Sequence, residues 1–419
     1  MSGKFIFTQD GNQISFDDVF VSAKQFQQGT NWVWGVNANA QLGNNTGIDR
    51  STPVTTFAGG QFWKEISNGR FGGYGLTGDG QIWAWGNNSY GQLGTNGIPQ
   101  QASLPTTISV DKTWKSISVG SETHTAAIKT DGTLWIWGLN NYAQLGINLG
   151  GPGVNAGRCT PVTTFAGGNN WKQVSCGRLF TAAVKTDGTL WTWGNNYASR
   201  LGIGTVTFPG PDIQRSTPVT TFAGGSNWKS VSCGYGHVLA IKNDGSLWAW
   251  GVNDRAQCSQ NPNANGPNSL LFITVPTQVE PGFVWRTASA GRSHSAGITT
   301  NGALWIWGAN DDGQLGLGAT SNTIYTAPFR VTKADFGNNY GSENWKEVAC
   351  GQKHTVALKS DGTLWGWGSN DRGQVGVAGT DLLTIPVQIG TDTNWRKISV
   401  GPMSLWSMAT KYDGTALFP

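Results

Sequence analysis

Trp171-Lys-Gln-Val-Ser-Cys-Gly177, Thr181-Ala-Ala-Val-Lys185, Asp187-Gly188 and Thr189-Leu-Trp-Thr-Trp-Gly194 follow one another in a single stretch of the chain, and their reading decides the fold. The first two segments and the last read as short strands. Asp187-Gly188 reads as a hairpin turn, because glycine accepts a positive φ at little cost. Thr160-Pro-Val-Thr-Thr-Phe165 recurs as Ser216-Thr-Pro-Val-Thr-Thr-Phe222. It supplies a fourth, proline-initiated strand suited to a sheet edge. Four short strands with turn residues between them describe a propeller blade.

The unit recurs seven times. Trp-x-Trp-Gly ends at Gly35, Gly86, Gly138, Gly194, Gly251, Gly308 and Gly368. A Trp-Lys/Arg pair opens at Trp63, Trp114, Trp171, Trp228, Trp285, Trp345 and Trp395. Of the 22 tryptophans only Trp406 falls outside these positions. A period of 51 to 60 residues marks stacked copies of one supersecondary unit. The expected fold is all-β: a seven-bladed β-propeller of four-stranded blades.

Strands such as Leu134-Trp-Ile-Trp137 are apolar on both faces and must be covered on both sides. Blades packed face to face supply that cover, so the tryptophans read as interblade core. A ladder of sugar- or base-binding aromatics is the alternative. The chain opens in mid-blade, since Gly29-Thr-Asn-Trp-Val-Trp-Gly35 matches a third strand without its first two. Trp395–Gly401 and Ser407–Lys411 supply those two, so the ring is expected to close by joining N- and C-terminal strands in one blade. Gly414-Thr-Ala-Leu-Phe-Pro419 also resembles a truncated third strand, which leaves two contenders for one slot.

The pattern Gly351-Gln-Lys-His354-Thr-Val-Ala-Leu-Lys-Ser-Asp361-Gly362-Thr-Leu-Trp-Gly-Trp367-Gly368-Ser-Asn370-Asp-Arg-Gly-Gln374-Val-Gly376 resembles that of regulator of chromosome condensation repeats. The resemblance covers roughly residues 29–419 and implies a seven-bladed propeller. It implies much less about function: the family includes a nucleotide exchange factor for a small GTPase, enzyme-inhibiting propellers and others, and a fold does not carry its activity with it. An exchange factor ranks last, because no motif maps onto the wedge that this activity needs and residues 1–28 are not a polybasic tail.

Net charge is +4 and charged residues make up 12% of the chain, which excludes a strongly basic nucleic-acid binder. Lys64, Lys115, Lys172, Lys229 and Lys346 recur after a strand tryptophan. They read as solvated lysines, or as a positive ring for an anionic glycan or partner. The N-terminus lacks the apolar core of a signal peptide, and no apolar run is long enough to span a membrane. Five cysteines without paired spacing give neither a disulfide framework nor a zinc site.

No catalytic, cofactor-binding or metal site is expected. His124, His237, His294 and His354 share one repeat position and read as structural, bonding a neighbouring turn. The Asp-Gly aspartates are turn formers. The asparagine of Trp-Gly-x-Asn, present from Asn37 to Asn370 in all seven copies, is expected to cap a tight loop.

Function is then sought where the copies diverge. From each Trp-Lys/Arg tryptophan to the next signature glycine there are always 23 or 24 residues, while the stretch after that glycine varies from 27 to 37. The enlarged segments are Ile147–Arg158, Ile203–Arg215, Ser259–Val275 and Leu317–Asn344, from consecutive repeats and so clustered on one side of the ring. Within one of them, Leu270, Leu271, Phe272 and Ile273 form either an added strand or an exposed contact surface.

The other departure is residues 1–28, where Lys4–Gln9 and Asn12–Phe16 read as a hairpin. Phe5, Phe7, Phe16, Val19 and Phe20 make this an apolar segment too small for its own core, expected to dock as an attachment device. An Asn-, Thr-, Ser-, Gln- and Gly-rich surface, free thiols, no secretion signal and this appendage lead to the expectation of a tailed-phage virion protein assembled in the host cytoplasm. Residues 1–28 would bind other virion proteins, and the propeller (residues 29–419) would bind a host-surface glycan or protein. The alternative is a free-standing interaction propeller, a lectin or protein inhibitor.

Overall fold

The computed structural model describes residues 7–9, 12–14, 29–57, 63–97, 100–150, 156–205, 214–263, 271–332 and 344–412. Seven four-stranded antiparallel sheets form the ring, as the repeat requires. Blade 1 runs from Trp63 to Thr107, blade 2 from Trp114 to Thr163, blade 3 from Trp171 to Thr220 and blade 4 from Trp228 to Val279. Blade 5 runs from Trp285 to Arg330 and blade 6 from Trp345 to Gln388. Blade 7 is built from both ends of the chain: Trp395–Ser399, Trp406–Lys411, Thr30–Gly35 and Arg50–Thr55 lie side by side in that order. The N-terminal copy therefore takes the contested third-strand slot, with Gly35 opposite Trp406 and Val33 opposite Met408. Residues 413–419 lie outside the described part. Phe7–Gln9 pairs with Asn12–Ile14, which is the expected hairpin.

Burial follows from strand alternation. Leu134 and Ile136 of blade 2 pack on Trp171, Val174, Cys176 and Trp193 of blade 3, and the other interfaces repeat this. The first-strand tryptophan and the second tryptophan of Trp-x-Trp are fully covered, as expected for interblade core. The first tryptophan of Trp-x-Trp is half-buried in most blades. In blades 2, 3, 4, 6 and 7 the lysine ending the second strand covers it. The Lys129 ammonium sits 4.9 Å from Trp114 and 4.3 Å from Trp135, and Lys185, Lys242, Lys359 and Lys411 sit alike between two indoles. Such cation–π contacts let a lysine close an apolar interface at its wet edge.

First strands of neighbouring blades meet around the axis, joined by serine hydroxyls. Ser67 accepts from Val119 N, Ser118 from Cys176 N, Ser175 from Cys233 N, Ser232 from Ala290 N, Ser289 from Cys350 N and Ser399 from Asn68 N, at 2.9–3.2 Å. At the remaining interface Ala349 stands in the serine's place and faces Val400 with no hydroxyl.

In each blade the turns after the first and third strands lie at one end, because an antiparallel meander alternates ends. The described parts of the third-strand loops of blades 2, 3 and 4, residues 139–150, 196–205 and 253–263, therefore share one face of the ring with the first-strand turns at the channel mouth, and residues 151–155, 206–213 and 264–270 of the enlarged segments lie outside the described residues. Leu317–Asn344 corrects the expected clustering. Part of its extra length extends the fourth strand, Ser321–Arg330, and residues 333–343 lie outside the described residues.

Candidate functional site at the channel mouth

The mouth is framed by the residues that follow each first-strand glycine. Arg70 N donates to Ser121 O, Ser121 N to Gly177 O, Tyr235 N to Gly291 O, Arg292 N to Gly351 O and Gln352 N to Ser404 O. This backbone belt crosses from blade to blade and fixes where the side chains stand. Arg70 Nη1 lies 3.0 Å from Glu122 Oε1, and Arg178 Nε lies 3.3 Å from Glu122 Oε2. Arg178 Nη1 donates to the Tyr235 hydroxyl, and its guanidinium lies 4.8 Å from the Tyr235 ring centre.

The third-strand loops fold by a common rule. The capping asparagine accepts the backbone N–H five residues on, as Asn37 does from Leu42, Asn140 from Leu145 and Asn370 from Val375. All seven copies make this bond, as the sequence implied. A glutamine then accepts the N–H two residues before it, as Gln144 does from Tyr142. In blade 3 the glutamine is replaced by Arg200. Its loop forms a 3-10 turn, Tyr197–Ser199, and Ala198 joins Ser199 in the left-handed region at φ 57° and 60°. Residues with a Cβ enter that region at a cost.

Arg200 is 4% exposed. Its guanidinium lies 5.5 Å from the Tyr197 ring and 6.0 Å from the Tyr235 ring. Nη1 is 3.4 Å from Asn195 Oδ1, and Nε makes no hydrogen bond. Burial pulls its pKa down to about 10, so it stays charged at neutral pH. A buried guanidinium without a carboxylate is the sharpest departure from the repeat on this face. The replacement is legible in the sequence as Ala198-Ser-Arg-Leu-Gly202, where loop length is the louder signal.

Phe272 and Ile273 begin the fourth strand of blade 4, opposite Val252 and Gly251. They are the added strand, not a free patch; Leu271 is half-buried beside them and Leu270 lies outside the described residues. Phe272 stands edge-on to Tyr197 at 6.5 Å, so this run supports the Arg200 loop. Of the N-terminal candidates, Phe7 lies in the hairpin strand, while Phe5, Phe16, Val19 and Phe20 lie outside the described residues.

The histidines are structural, but they bond across blades and not to a turn. His124 Nε2 meets Thr181 Oγ1, His237 meets Ser295, His294 meets Thr355 and His354 meets Ser407, at 2.9–3.0 Å. Each hydroxyl donates onward to a glutamine carbonyl, for example Thr181 to Gln144 O at 2.9 Å. The hydroxyl therefore accepts from Nε2–H and the imidazole is neutral. Burial pushes all four pKa values down to about 3. Such groups are poor proton carriers near neutral pH. Trp406, the leftover tryptophan, fills the histidine position in blade 7 and donates to Gly69 O. Lys64, Lys115, Lys172, Lys229 and Lys346 are exposed at the far end of the first strands, away from the mouth.

The cavity lined by Arg70, Tyr74, Glu122 and His124 has a volume near 10 Å³, room for about one water. Among the described residues no cluster of three His, Cys, Asp or Glu side chains could hold a metal ion.

The RCC1-like domain model matches residues 159–418, and the regulator of chromosome condensation (RCC1) repeat matches residues 79–128 and 131–184. The chain belongs to the RCC1-like family. Its relatives include the ultraviolet-B receptor UVR8 of Arabidopsis thaliana, 28% identical over 82% of this chain and 74% of that protein. Another is the secretion-regulating guanine nucleotide exchange factor of Mus musculus, 31% identical over 70% of this chain and 61% of that protein. Among solved structures, Prp20p from Saccharomyces cerevisiae superposes with a TM-score of 0.76 at 19% identity, over 94% of this chain and 95% of that one. This likeness concerns the fold.

The RCC1-like relatives are cellular proteins of plants, animals and yeasts, and this overturns the expectation of a virion component. The free-standing interaction propeller fits them better. The composition that suggested a virion surface has a structural cause. The Asn, Gln, Thr and Ser residues make most of the loop caps and interblade bonds of the repeats. They report the fold and not a compartment.

Proposed function

We propose that this chain is a non-catalytic interaction propeller that docks a protein partner on the mouth face of blades 2 to 4. One observation carries the reading: Arg200, buried where the other six copies carry glutamine, lies with Arg178 around Tyr235 beside the described ends of three turns that are enlarged in the sequence. A constant scaffold with divergence concentrated at one sector is how a rigid fold acquires recognition. The relatives support a protein partner, since solved RCC1-type structures include yeast RCC1 (Prp20) bound to Kap60.

A photo-crosslinking residue placed at Leu149 or Tyr197 on the mouth face, and at Val110 or Tyr412 at the other end, tests this in extract of the native cell. Discrete adducts are expected from the mouth face alone. Equal labelling from both ends, or none, refutes the reading. The mouse relative favours guanine nucleotide exchange as a second reading. Accelerated release of a fluorescent GDP analogue from a small GTPase would put that activity in place of the scaffold role.

A further inference from the structure

Four arginines, Arg70, Arg178, Arg200 and Arg292, stand at or beneath the mouth between blades 1 and 5. Among the described residues the carboxylate paired with these four is Glu122, which already serves two of them, while Asp254 of the blade 4 loop accepts from Gln257 Nε2. Arg292 faces a neutral group: with the Gln352 amide turned so that its oxygen meets the guanidinium, Nη1 donates to it at 3.1 Å. Arg200 has only Asn195 and two tyrosine rings. Burying a cation without a counter-ion is costly, and aromatic faces offset part of that cost. The site is therefore left with positive charge that nothing in the described chain cancels.

Its geometry suits a carboxylate. Glu122 is an internal example of the ligand, gripped by one nitrogen from each of two guanidinium forks. Arginine forks match planar carboxylates, and tyrosine with arginine is the pairing enriched at the centres of protein interfaces. Tyr197 and Leu149, both exposed on the same rim, add apolar contact beside the charge.

The positive region is confined to one sector. At its edge Asp311 of blade 5 pairs with Arg255 of blade 4, and further round the ring Asp312 pairs with Lys353 and Asp49 with Arg372. A nucleic-acid backbone crossing the face would meet those aspartates, whereas a short acidic segment would not.

We propose that the mouth sector of blades 3 and 4, with Arg178, Arg200 and Tyr235 at its centre, binds an acidic peptide segment of a protein partner. The proposal rests on the interaction reading above and names the chemistry of its ligand. Arg178 and Tyr235 meet the carboxylates at the surface. Arg200 supplies uncompensated charge from below, where water screens it least. Glu122 limits affinity by occupying two of the forks.

The probe is a short fluorescein-labelled peptide of repeating Glu-Glu-Leu units, read by anisotropy. A Gln-Gln-Leu peptide and a single-stranded oligonucleotide of equal charge are the comparisons. The Glu peptide should bind saturably and the Gln peptide should not. R200Q installs the glutamine that the other six repeats carry, so the loop keeps a residue proven in its place. It should weaken binding by about tenfold, the scale of one lost charge-assisted contact. E122Q should tighten binding, and K229Q, which removes a charge at the far end of blade 4, should leave it unchanged. R178Q reads the same charge from the surface if R200Q does not fold.

Tighter binding of the oligonucleotide, no binding of the Glu peptide, or equal binding by wild type, R200Q and R178Q each overturns the proposal. If the peptide fails while a partner still crosslinks at Tyr197, the acidic ligand falls and the interaction reading stands. R200Q-sensitive binding with equal crosslinking from both ends gives the reverse.

Discussion

His354 of blade 6 holds Ser407 of blade 7: Nε2 lies 2.9 Å from Oγ, and that hydroxyl donates to Gln374 O at 2.9 Å. The pair spans the seam where the two ends of the chain close the ring. The same relay joins blades 2 and 3, 4 and 5, and 5 and 6. Where Gly72 replaces the histidine in blade 1, Thr125 of blade 2 keeps its hydroxyl and bonds Tyr74 Oη and Gln92 O, but at one interface both partners change. Phe180 replaces it in blade 3, and the facing residue of blade 4 is Val238, both fully buried. H354F alone should therefore cost about 1–3 kcal/mol, because Ser407 loses its donor in a dry interface. H354F/S407V reproduces the Phe180–Val238 pair and should be more stable than the two single changes imply by about 0.5–2 kcal/mol. Urea denaturation of the four proteins measures this coupling, and simple additivity would show the two residues to be independent.

The four histidines also set the acid limit of the fold. Their folded pKa values, about 3, lie below the ordinary 6.5, so the native imidazoles stay neutral while the unfolded chain takes up protons. Their contribution is complete above pH 6.5 and is lost as pH falls toward 3. Each can add up to about 1.4 kcal/mol per pH unit to the slope. Stability should fall steeply between pH 6.5 and 5, before ordinary carboxylates protonate, and H354F/S407V should show a shallower fall. A flat profile in that window would mean that the histidines are hydrated in the native state.

These couplings mark what the sequence made legible. The tryptophan register gave the blade number, the strand order and the closure, because each copy repeats a local pattern that the next confirms. The asparagine caps were readable for the same reason: the bond lies within one loop. The histidine relay was harder, since it joins residues 53 to 61 positions apart. Its trace, Phe180 with Val238, appears only when one copy's second strand is set against the next copy's. At the candidate site, loop length in the sequence and the single Arg200 replacement converge on one sector, while the Leu270–Ile273 run is a weaker signal. One residue read against six glutamines held more information than an apolar run, because a strand edge buries such runs routinely.

The ring of serine bonds about the axis has one gap, which gives a prediction of opposite sign. Ala349 occupies the serine position facing Val400, while Ser289 in the preceding blade accepts from Cys350 N at 2.9 Å. Ala349→Ser should supply the missing acceptor for Val400 N and raise stability by about 0.5–1.5 kcal/mol. Thermal denaturation decides it. A lowered midpoint would mean that the blade 6–7 seam is packed too tightly for the hydroxyl.

Glu65 lies in the same axial wall and works against stability above neutrality. Its carboxylate accepts Ile117 N at 3.2 Å, the bond that the neutral Gln173 makes with Val231 N at 3.0 Å. The channel wall leaves it half-buried and poorly hydrated, which lifts its pKa to about 7 although the Ile117 bond, Lys397 and Lys64 pull the other way. A folded value above the ordinary 4.5 means that its contribution is greatest below pH 4.5 and is lost as pH rises through 7. Glu65→Gln keeps the acceptor and removes the ionisation. The variant should match the wild type near pH 5 and exceed it at pH 8 by on the order of 1–2 kcal/mol. Denaturant titrations at the two pH values test this: an equal gap at both would place the effect in packing, and a wild type that is the more stable at pH 8 would show that the charged carboxylate is stabilised in the channel.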